Sequence, residues 1–251
     1  MPNMTSPVQR LFNTCKEVFA ACGPGIVPPP GDVERVKAAL DDMRPEDVGL
    51  NPDTPYFRIM AAERSPIIAH LCLHECDKFS IVIFCLPASS AIPLHNHPGM
   101  TVFSKLLFGT MHIKSYDWMV DGSGGASAVL GNPQIQPCGV RMAKVKVNSE
   151  FTAPCETSIL YPANGGNMHC LNAVTACAVL DVLGPPYSDP EGRHCTYYRD
   201  LPFTSFSVDG ASSSVPEEER EDYAWLQERE MPEDFTVVGF PYRGPIITTN
   251  D

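Results

Sequence analysis

Short apolar runs separated by turn-forming residues fill the middle of the chain, from about Tyr56 to Val182. The runs are rich in β-branched and aromatic residues, and Gly, Pro, Asn and Asp stand between them, which is typical of β-strands joined by tight turns. So many short strands at this spacing predict a sandwich or a barrel. The predicted strands cover residues 67–73, 79–86, 101–107, 110–116, 141–147, 158–162, 177–183 and 236–240.

The first 55 residues instead repeat apolar side chains every three or four positions, which predicts helices. Ser6 is suited to cap a first helix that Gly23 ends, and Asp32 is suited to cap a second helix. We therefore expect a helical segment over residues 1–55. It packs on a barrel with a C-terminal extension over residues 56–251, in one structural domain overall.

Two histidines stand at alternate positions, His95 and His97, in the segment 93–99, which reads PLHNHPG. On a strand, alternate side chains share a face, so two imidazoles about 7 Å apart at their Cα atoms can converge on one metal ion. A third ligand must come from another strand that faces the same cavity, and His169 in GGNMH (165–169) is the candidate. The alternative is a set of ordinary histidines with satisfied hydrogen bonds, but the flanking prolines and the apolar run before them favour a metal site.

A second His and Cys alternation, HLCLHEC at residues 70–76, also resembles a zinc site. Four alternate positions on one strand span about 20 Å, too far to converge on one ion. We interpret this stretch as the wall of a core or cavity.

Charge and cysteine content narrow the class of protein. The 251 residues carry a net charge of −12, which disfavours nucleic acid or an anionic membrane surface as a partner. No apolar run is long enough to span a bilayer, and no export signal is visible at the N-terminus. The ten cysteines are scattered, several of them in apolar strands, which favours reduced thiols. We therefore expect a cytoplasmic or nuclear protein, and a monomer.

The histidine motifs resemble those of the cupins, which are double-stranded β-helix (jelly-roll) barrels. His95-x-His97 with the later Gly109 resembles the first cupin motif, and residues 165–172 are a loose version of the second. Val102 stands where the usual glutamate would follow, which leaves three neutral histidine ligands. The resemblance implies a mainly β fold, a cupin barrel with the N-terminal helices packed on it.

Longer motifs resemble one branch of that superfamily, the plant cysteine oxidases, relatives of the cysteamine (2-aminoethanethiol) dioxygenases. The matching segments are IPLHNHPGMT (92–101), KLLFGTM (105–111), SYDW (115–118), LDVLGPPY (180–187) and YRGP (242–245). The resemblance implies an iron enzyme, using Fe(II), that oxidises an N-terminal protein cysteine to its sulfinic acid with dioxygen (O2). It further implies Cys-initiated partners of the transcription-factor type and an oxygen-sensing role, because the product is a degradation signal of the N-degron pathway.

The chemistry agrees with the ligand set. Oxidation of a thiol to a sulfinic acid removes four electrons, which is the number that dioxygen accepts, so no reductant is needed. Three histidines leave open positions on a metal for a thiolate and dioxygen. Without a carboxylate ligand the ion keeps its full positive charge, which favours binding the thiol as thiolate.

Two further residues are candidates for catalysis. Asp181 lies in the apolar run AVLDVL, where an unpaired carboxylate is costly, and we interpret it as a partner of a ligand histidine or of the substrate amine. The alternative is a purely structural hydrogen bond. Tyr187 resembles the family's tyrosine at the mouth of the site. Cys195 and Tyr197 resemble a thioether pair of the animal relatives, but we expect an ordinary cysteine and tyrosine here.

Two other functions stay open at this stage, a cupin that binds metal without turnover and an oxidase of small thiols such as cysteamine. A site for free cysteine needs a cation for the α-carboxylate, for which a buried Arg is the natural partner. No Arg lies between Ser65 and Val140, so Arg193 or Arg199 would have to serve. This favours a peptide over free cysteine.

Overall fold

The computed structural model describes residues 5–51, 53–54, 56–57, 66–119, 139–206 and 216–249. Within them two α-helices precede twelve β-strands. The helices are α1, Pro7–Phe19, and α2, Pro30–Asp41. None of the helices in these ranges has the length and apolar character that crossing a membrane requires.

The helix boundaries follow cap chemistry with two differences from the sequence prediction. Ser6 caps α1 as expected, since its hydroxyl accepts a hydrogen bond of 3.3 Å from the Gln9 amide, but the helix ends before Gly23. The predicted cap of α2 at Asp32 is wrong, because α2 already begins at Pro30. Proline's fixed φ suits the first helical position, so Asp32 falls within the first turn and pairs there with Arg35.

All eight predicted strands are present, and four more complete the fold. The strands are β1 Ile67–Glu75, β2 Ser80–Leu86, β3 Ala91–His95, β4 Thr101–Phe108, β5 Thr110–Trp118, β6 Val140–Thr152, β7 Ser158–Leu160, β8 Met168–Ala173, β9 Cys177–Gly184, β10 Tyr197–Pro202, β11 Tyr223–Arg229 and β12 Thr236–Phe240. The prediction gave no bounds for β8, β10 and β11, although it expected His169 on a strand, and it treated β3 only as the setting of the histidine pair.

The strands form two six-stranded sheets. One has the order β12-β1-β2-β9-β4-β7, and the other closes on itself in the order β10-β11-β6-β5-β8-β3. Side chains from both sheets share one apolar core, in which Leu106 and Val179 of the first sheet pack with Met111 and Leu171 of the second. The predicted mainly β, double-stranded β-helix fold is confirmed.

The helices cover the outer face of the first sheet. Phe19 of α1 packs so closely on β9 that a Cβ added at Gly184 would lie 2.1 Å from its ring. Asp41 at the end of α2 accepts hydrogen bonds of 2.7 Å from both the amide and the hydroxyl of Thr157. The buried Lys105 ammonium of β4 lies 3.5 Å from the same carboxylate. A core of apolar side chains and a partly buried polar cluster around Asp41 therefore fix the helices to the barrel.

Candidate metal centre

The structure brings His95, His97 and His169 together inside the barrel. One nitrogen of each ring lies within 4.8 Å of those of the other two, and all three side chains are buried. Pairing of β3 with β8 sets His95 directly opposite His169. Within the described ranges, these histidines are the one group of His, Cys, Asp and Glu that converges in this way. The alternating His and Cys residues of β1 do not, as the sequence predicted.

His97 reaches the group by a route that the sequence did not predict. β3 ends at His95, so His97 lies in the turn before Pro98 and not on a regular strand. The prediction that both histidines occupy one strand is therefore wrong, although their side chains do converge. The chain turns at Pro98-Gly99, so no pairing among the described strands positions His97. Hydrogen bonds with Asn167 hold it in place.

Hydrogen bonds select the tautomer of two of the three rings. The Nδ1 atom of His95 donates to the Pro93 carbonyl at 2.8 Å, and Nδ1 of His97 donates to the Asn167 carbonyl at 2.9 Å. Both rings therefore present Nε2, with its free lone pair, to the centre of the group.

Burial keeps the three rings neutral. Burial, and next the neighbouring His95, lower the pKa of His97 to about 3. Burial also lowers the pKa of His95, and it holds the pKa of His169 well below the usual value. Neutral imidazoles are the form that binds a metal ion, so the rings are ready as ligands at neutral pH.

The residues present fit a metal ion with three protein ligands and open positions. Three converging neutral nitrogens, with Nδ1 of two rings already bonded, are typical of a histidine site. Val102, at the place of the cupin glutamate, is fully buried in an apolar cluster with Met100 and Leu183. It offers no ligand, so the open positions stay available for substrates.

Asp181 is a buried carboxyl group on β9 that lacks an adequate partner. Its Oδ1 atom has no hydrogen-bond partner among the described residues. Burial raises its pKa to about 7, and the nearby Ser104 hydroxyl lowers it only in part. The same Ser104 lines the cavity described next, so the carboxyl group is placed beside the interior space of the barrel. A group in this state readily accepts a cation or a proton.

A cavity of about 150 Å³ adjoins the histidines. His169, Ser104 and Ser115 line it, and the rest of its wall is mostly apolar, with Met111 and Val179 among its members. The Ser104 and Ser115 hydroxyls have no hydrogen-bond partner among the described residues. The barrel therefore holds a small, mostly apolar space beside His169, with two unpartnered hydroxyl groups in its wall.

Tyr187 lies against the other side of the group. Its ring centroid is 5.8 Å from that of His97, and its hydroxyl donates to the Asn96 carbonyl at 2.7 Å. Burial, and next the Cys195 thiol, hold the pKa of Tyr187 well above its usual value, so it stays a neutral donor. The thiol also contacts Tyr197, which pairs with His95 in the β10–β3 register.

Comparison with known proteins identifies the family. The PCO_ADO family model matches residues 39–247. Plant cysteine oxidase 2 of Arabidopsis thaliana is 61% identical over 242 residues, which cover 96% of this chain and 83% of that protein. This chain belongs to the PCO_ADO family.

More distant similarities accompany the family match. The human 2-aminoethanethiol dioxygenase is 32% identical over 271 residues, covering 98% of both chains. A solved Klebsiella pneumoniae protein with a double-stranded beta-helix domain aligns at 14% identity with a TM-score of 0.30, over 45% of this chain and 73% of that one. The family match and the Arabidopsis relative confirm the family predicted from the sequence motifs.

Sequence reasoning missed three polar residues of this PCO_ADO site. Asn96, predicted only to point away from the histidines, receives the Thr196 amide on its side chain at 2.8 Å and bonds β10 to the histidine turn. Asn167 and Asp117 support His97 and the turn before β8. Each stands inside a motif that the sequence analysis quoted, but only the folded chain shows which groups they contact.

Proposed function

We propose that this chain is an iron(II)-dependent thiol dioxygenase that oxidises the N-terminal cysteine of a protein to cysteine sulfinic acid. The observation that carries the proposal is the group of three buried, neutral histidines with no carboxylate among them, in a member of this family. Iron(II) bound there supplies the open coordination positions at which a thiolate and dioxygen can meet.

The reaction is balanced without a further reactant. Two sulfur–oxygen bonds form, the bond between the oxygen atoms breaks, and the thiol proton ends on the sulfinic acid or in solvent. The sulfur loses four electrons and dioxygen gains them. The chain therefore needs no site for a reductant or a keto acid.

We assign Asp181 the role of holding the substrate's α-ammonium group. The carboxyl group is buried beside the cavity and has an unpartnered oxygen atom, so a cationic amine offsets its burial. Tyr187, anchored to the turn of the histidines, bounds the site where the peptide enters.

The arginines near the site favour a peptide over free cysteine. Arg193 is buried, but it donates to the Pro186 carbonyl at 3.0 Å and pairs with Glu191 at 2.5 Å. Arg199 donates to Gln227 on the exposed side of β10. Both cations have partners already, and the α-carboxylate of free cysteine would need one. The first carbonyl of a peptide is uncharged and has no such need.

Mass spectrometry of four thiols tests the substrate class. The iron-loaded chain is incubated in air with a Cys-Gly-initiated peptide, its N-acetylated form, cysteamine and free cysteine. We expect the free-amine peptide to gain the mass of two oxygen atoms fastest, and the acetylated form to be nearly inert because it presents no cation to Asp181. Faster oxidation of free cysteine would contradict the assignment of the pocket.

Replacing His169 by Ala tests the metal site. We expect the variant to lose iron and turnover together, whereas replacing the exposed His194 by Ala leaves both unchanged. Full iron occupancy of the folded His169→Ala variant, measured by elemental analysis, would remove His169 from the ligand set.

A second candidate function is the oxidation of a small amino thiol. The human relative named 2-aminoethanethiol dioxygenase favours it, and cysteamine presents an ammonium group without a carboxylate. The same assay decides, because cysteamine would then be oxidised faster than the peptide. A chain that binds iron but consumes no dioxygen with any of these thiols would instead be a binding protein.

The physiological role that we propose is oxygen sensing in the cytoplasm or nucleus. The free thiols of the described cysteines, several of them buried, favour a reducing compartment. A Cys-initiated reporter should be short-lived in air in cells that express the active chain, and stable with the His169→Ala variant. Equal lifetimes in air would contradict a role in a degradation pathway.

A further inference from the structure

Asn167 makes an unusually complete set of contacts with a candidate metal ligand. Its Nδ2 atom donates to the His97 carbonyl at 2.9 Å, and its Oδ1 atom accepts from the His97 amide at 3.1 Å. Its own carbonyl accepts from Nδ1 of the His97 ring at 2.9 Å. One residue therefore contacts both backbone polar groups and the ring of His97. Because His97 lies beyond the end of β3, no paired strand among the described residues bonds its backbone, and Asn167 makes these hydrogen bonds instead.

Asn167 is in turn held by a buried carboxylate. Oδ1 of Asp117 accepts hydrogen bonds from the amides of Gly166 at 2.8 Å and of Asn167 at 3.1 Å. The other oxygen lies 3.7 Å from the Lys146 ammonium. Asp117 lies on β5, within the SYDW motif (115–118), to which the proposed reaction assigns no role.

The turn before β8 is closely packed, and its backbone conformation at Gly166 excludes a larger residue. Gly166 has φ +85°, and a Cβ there would lie 2.3 Å from the Ser115 hydroxyl oxygen. The Nδ2 atom of Asn167 makes a further bond of 2.9 Å to the Tyr161 carbonyl. His169 follows two residues later on β8, so the same turn supplies one candidate ligand and fixes another.

We propose that Asn167, anchored by Asp117, is a positioning residue that sets the backbone and the ring orientation of His97 and so tunes metal affinity. The inference rests on the proposed function, since it concerns the same histidines. Asn167 acts through His97 and touches neither substrate nor metal. Groups that orient a ligand histidine typically change metal affinity or activity by 10- to 100-fold, roughly, when they are removed.

Metal titration of the chelator-treated chain tests the inference without turnover. Iron(II) is titrated without oxygen, and cobalt(II) is the spectroscopic probe of ligand geometry. We expect Asn167→Ala to weaken iron(II) binding about 10- to 100-fold and to shift the cobalt(II) absorption bands. The control is Asn172→Ala, an exposed asparagine of β8, which should match the wild-type chain in both measurements.

Kinetics separate positioning from a general loss of stability. With saturating iron, Asn167→Ala should lower kcat per bound iron and leave the KM of the Cys-initiated peptide nearly unchanged. Wild-type affinity, wild-type cobalt(II) bands and wild-type kcat per iron in this variant would overturn the inference.

A second variant carries the test if Asn167→Ala does not fold. Asn167→Asp has the same size and keeps the acceptor for the His97 amide, but it sets a carboxylate oxygen against the His97 and Tyr161 carbonyls. We expect weaker metal binding, and wild-type affinity there would overturn the inference.

Measurements on the wild-type chain distinguish a failure of the proposed function from a failure of the inference about Asn167. Wild-type metal binding without thiol oxidation would refute the proposed function alone, because the affinity comparison would still decide the role of Asn167. A wild-type chain that binds neither metal would overturn both.

Discussion

At the scale of single residues, the buried carboxyl group of Asp181 gives opposite expectations for stability and for activity. Burial raises its pKa to about 7. Between about pH 4 and pH 7, the carboxyl group is therefore protonated in the folded chain but ionised in the unfolded chain. This carboxyl group therefore destabilises the fold as pH rises through that interval. Asp181→Asn removes this effect. In urea titrations at pH 8, we expect its free energy of unfolding to exceed that of the wild-type chain by roughly 1–4 kcal/mol.

The same variant should lose turnover although it is stable. We expect kcat/KM for the Cys-initiated peptide to fall at least about 100-fold with most of the iron retained, because a neutral amide gives the substrate ammonium no charge partner. In the wild-type chain, kcat/KM should rise as pH passes about 7, where Asp181 ionises. The exposed Asp189→Asn is the control for both measurements. Wild-type activity of Asp181→Asn would return Asp181 to a structural role.

The sequence predicted the identity of the three histidines but not how they are held. Spacing identified His95 and His97, and a glycine-rich motif identified His169. The end of β3 between the first two could not be foreseen, because it depends on the bonds that Asn96 makes with a segment about 100 residues later. Asp117 and Asn167 gave no signal, since a lone polar residue in a strand has many alternative roles.

At the scale of elements, the turn that precedes β8 can be tested by comparing Gly166, which lies in it, with Gly192, a glycine of similar backbone conformation elsewhere in the chain. Gly166 and Gly192 both have positive φ, +85° and +74°, but only a Cβ at Gly166 meets another atom, the Ser115 hydroxyl at 2.3 Å. Gly192→Ala should cost the backbone strain alone, about 1 kcal/mol in a urea titration. Gly166→Ala adds a clash in a rigid turn and should cost at least about 2 kcal/mol. It should also weaken metal binding, because Asn167 follows it directly. Equal costs would contradict this account of the turn.

The attachment of α2 to the barrel should depend on pH through Asp41. Partial burial raises the pKa of this carboxyl group, but hydrogen bonds from Lys37 and Thr157 outweigh it and leave the pKa at about 2. The bonds therefore stabilise the fold fully above about pH 4, and their contribution is lost as pH falls towards 2.

Replacing Asp41 by Asn should lower the free energy of unfolding by about 1–2 kcal/mol at pH 7, and by much less near pH 2. The neighbouring exposed Asp42→Asn is the control, and urea titrations at both pH values provide the measurement. A difference between Asp41→Asn and the wild-type chain that does not change with pH would exclude the ionised carboxylate as the cause.

Among the elements, β11 shows where sequence patterns stop being informative. Its surroundings are strongly acidic, and such a run of charges is typical of a solvated surface. The structure buries Trp225 and Leu226 between β10 and β6, and the Trp225 indole donates to the Phe203 carbonyl at 3.0 Å. Charged residues before and after a strand hide its alternation, and the partners that bury it come from distant segments.

At the scale of the whole molecule, the net charge of −12 should affect how substrates approach. A field of one sign attracts a peptide of the opposite sign over roughly a Debye length, about 10 Å at 0.1 M salt. We expect kcat/KM for a Cys-initiated peptide with several lysines to fall several-fold between about 0.05 M and 0.5 M salt. A peptide without charged side chains, measured in parallel, should change much less. Equal salt dependence for both would exclude steering by the protein's field.

The pairing of His95 with His169 across β3 and β8 has a consequence for the order of events during folding. Four of the described strands lie between these two in the chain, so the ligand nitrogens meet only after long-range pairing is complete. An unfolded or half-folded chain therefore offers no site of high affinity, and the ion must enter a barrel that has already closed around buried rings. Loss of metal and loss of tertiary structure should then occur together in a denaturant titration, which would make bound iron a reporter of the intact fold.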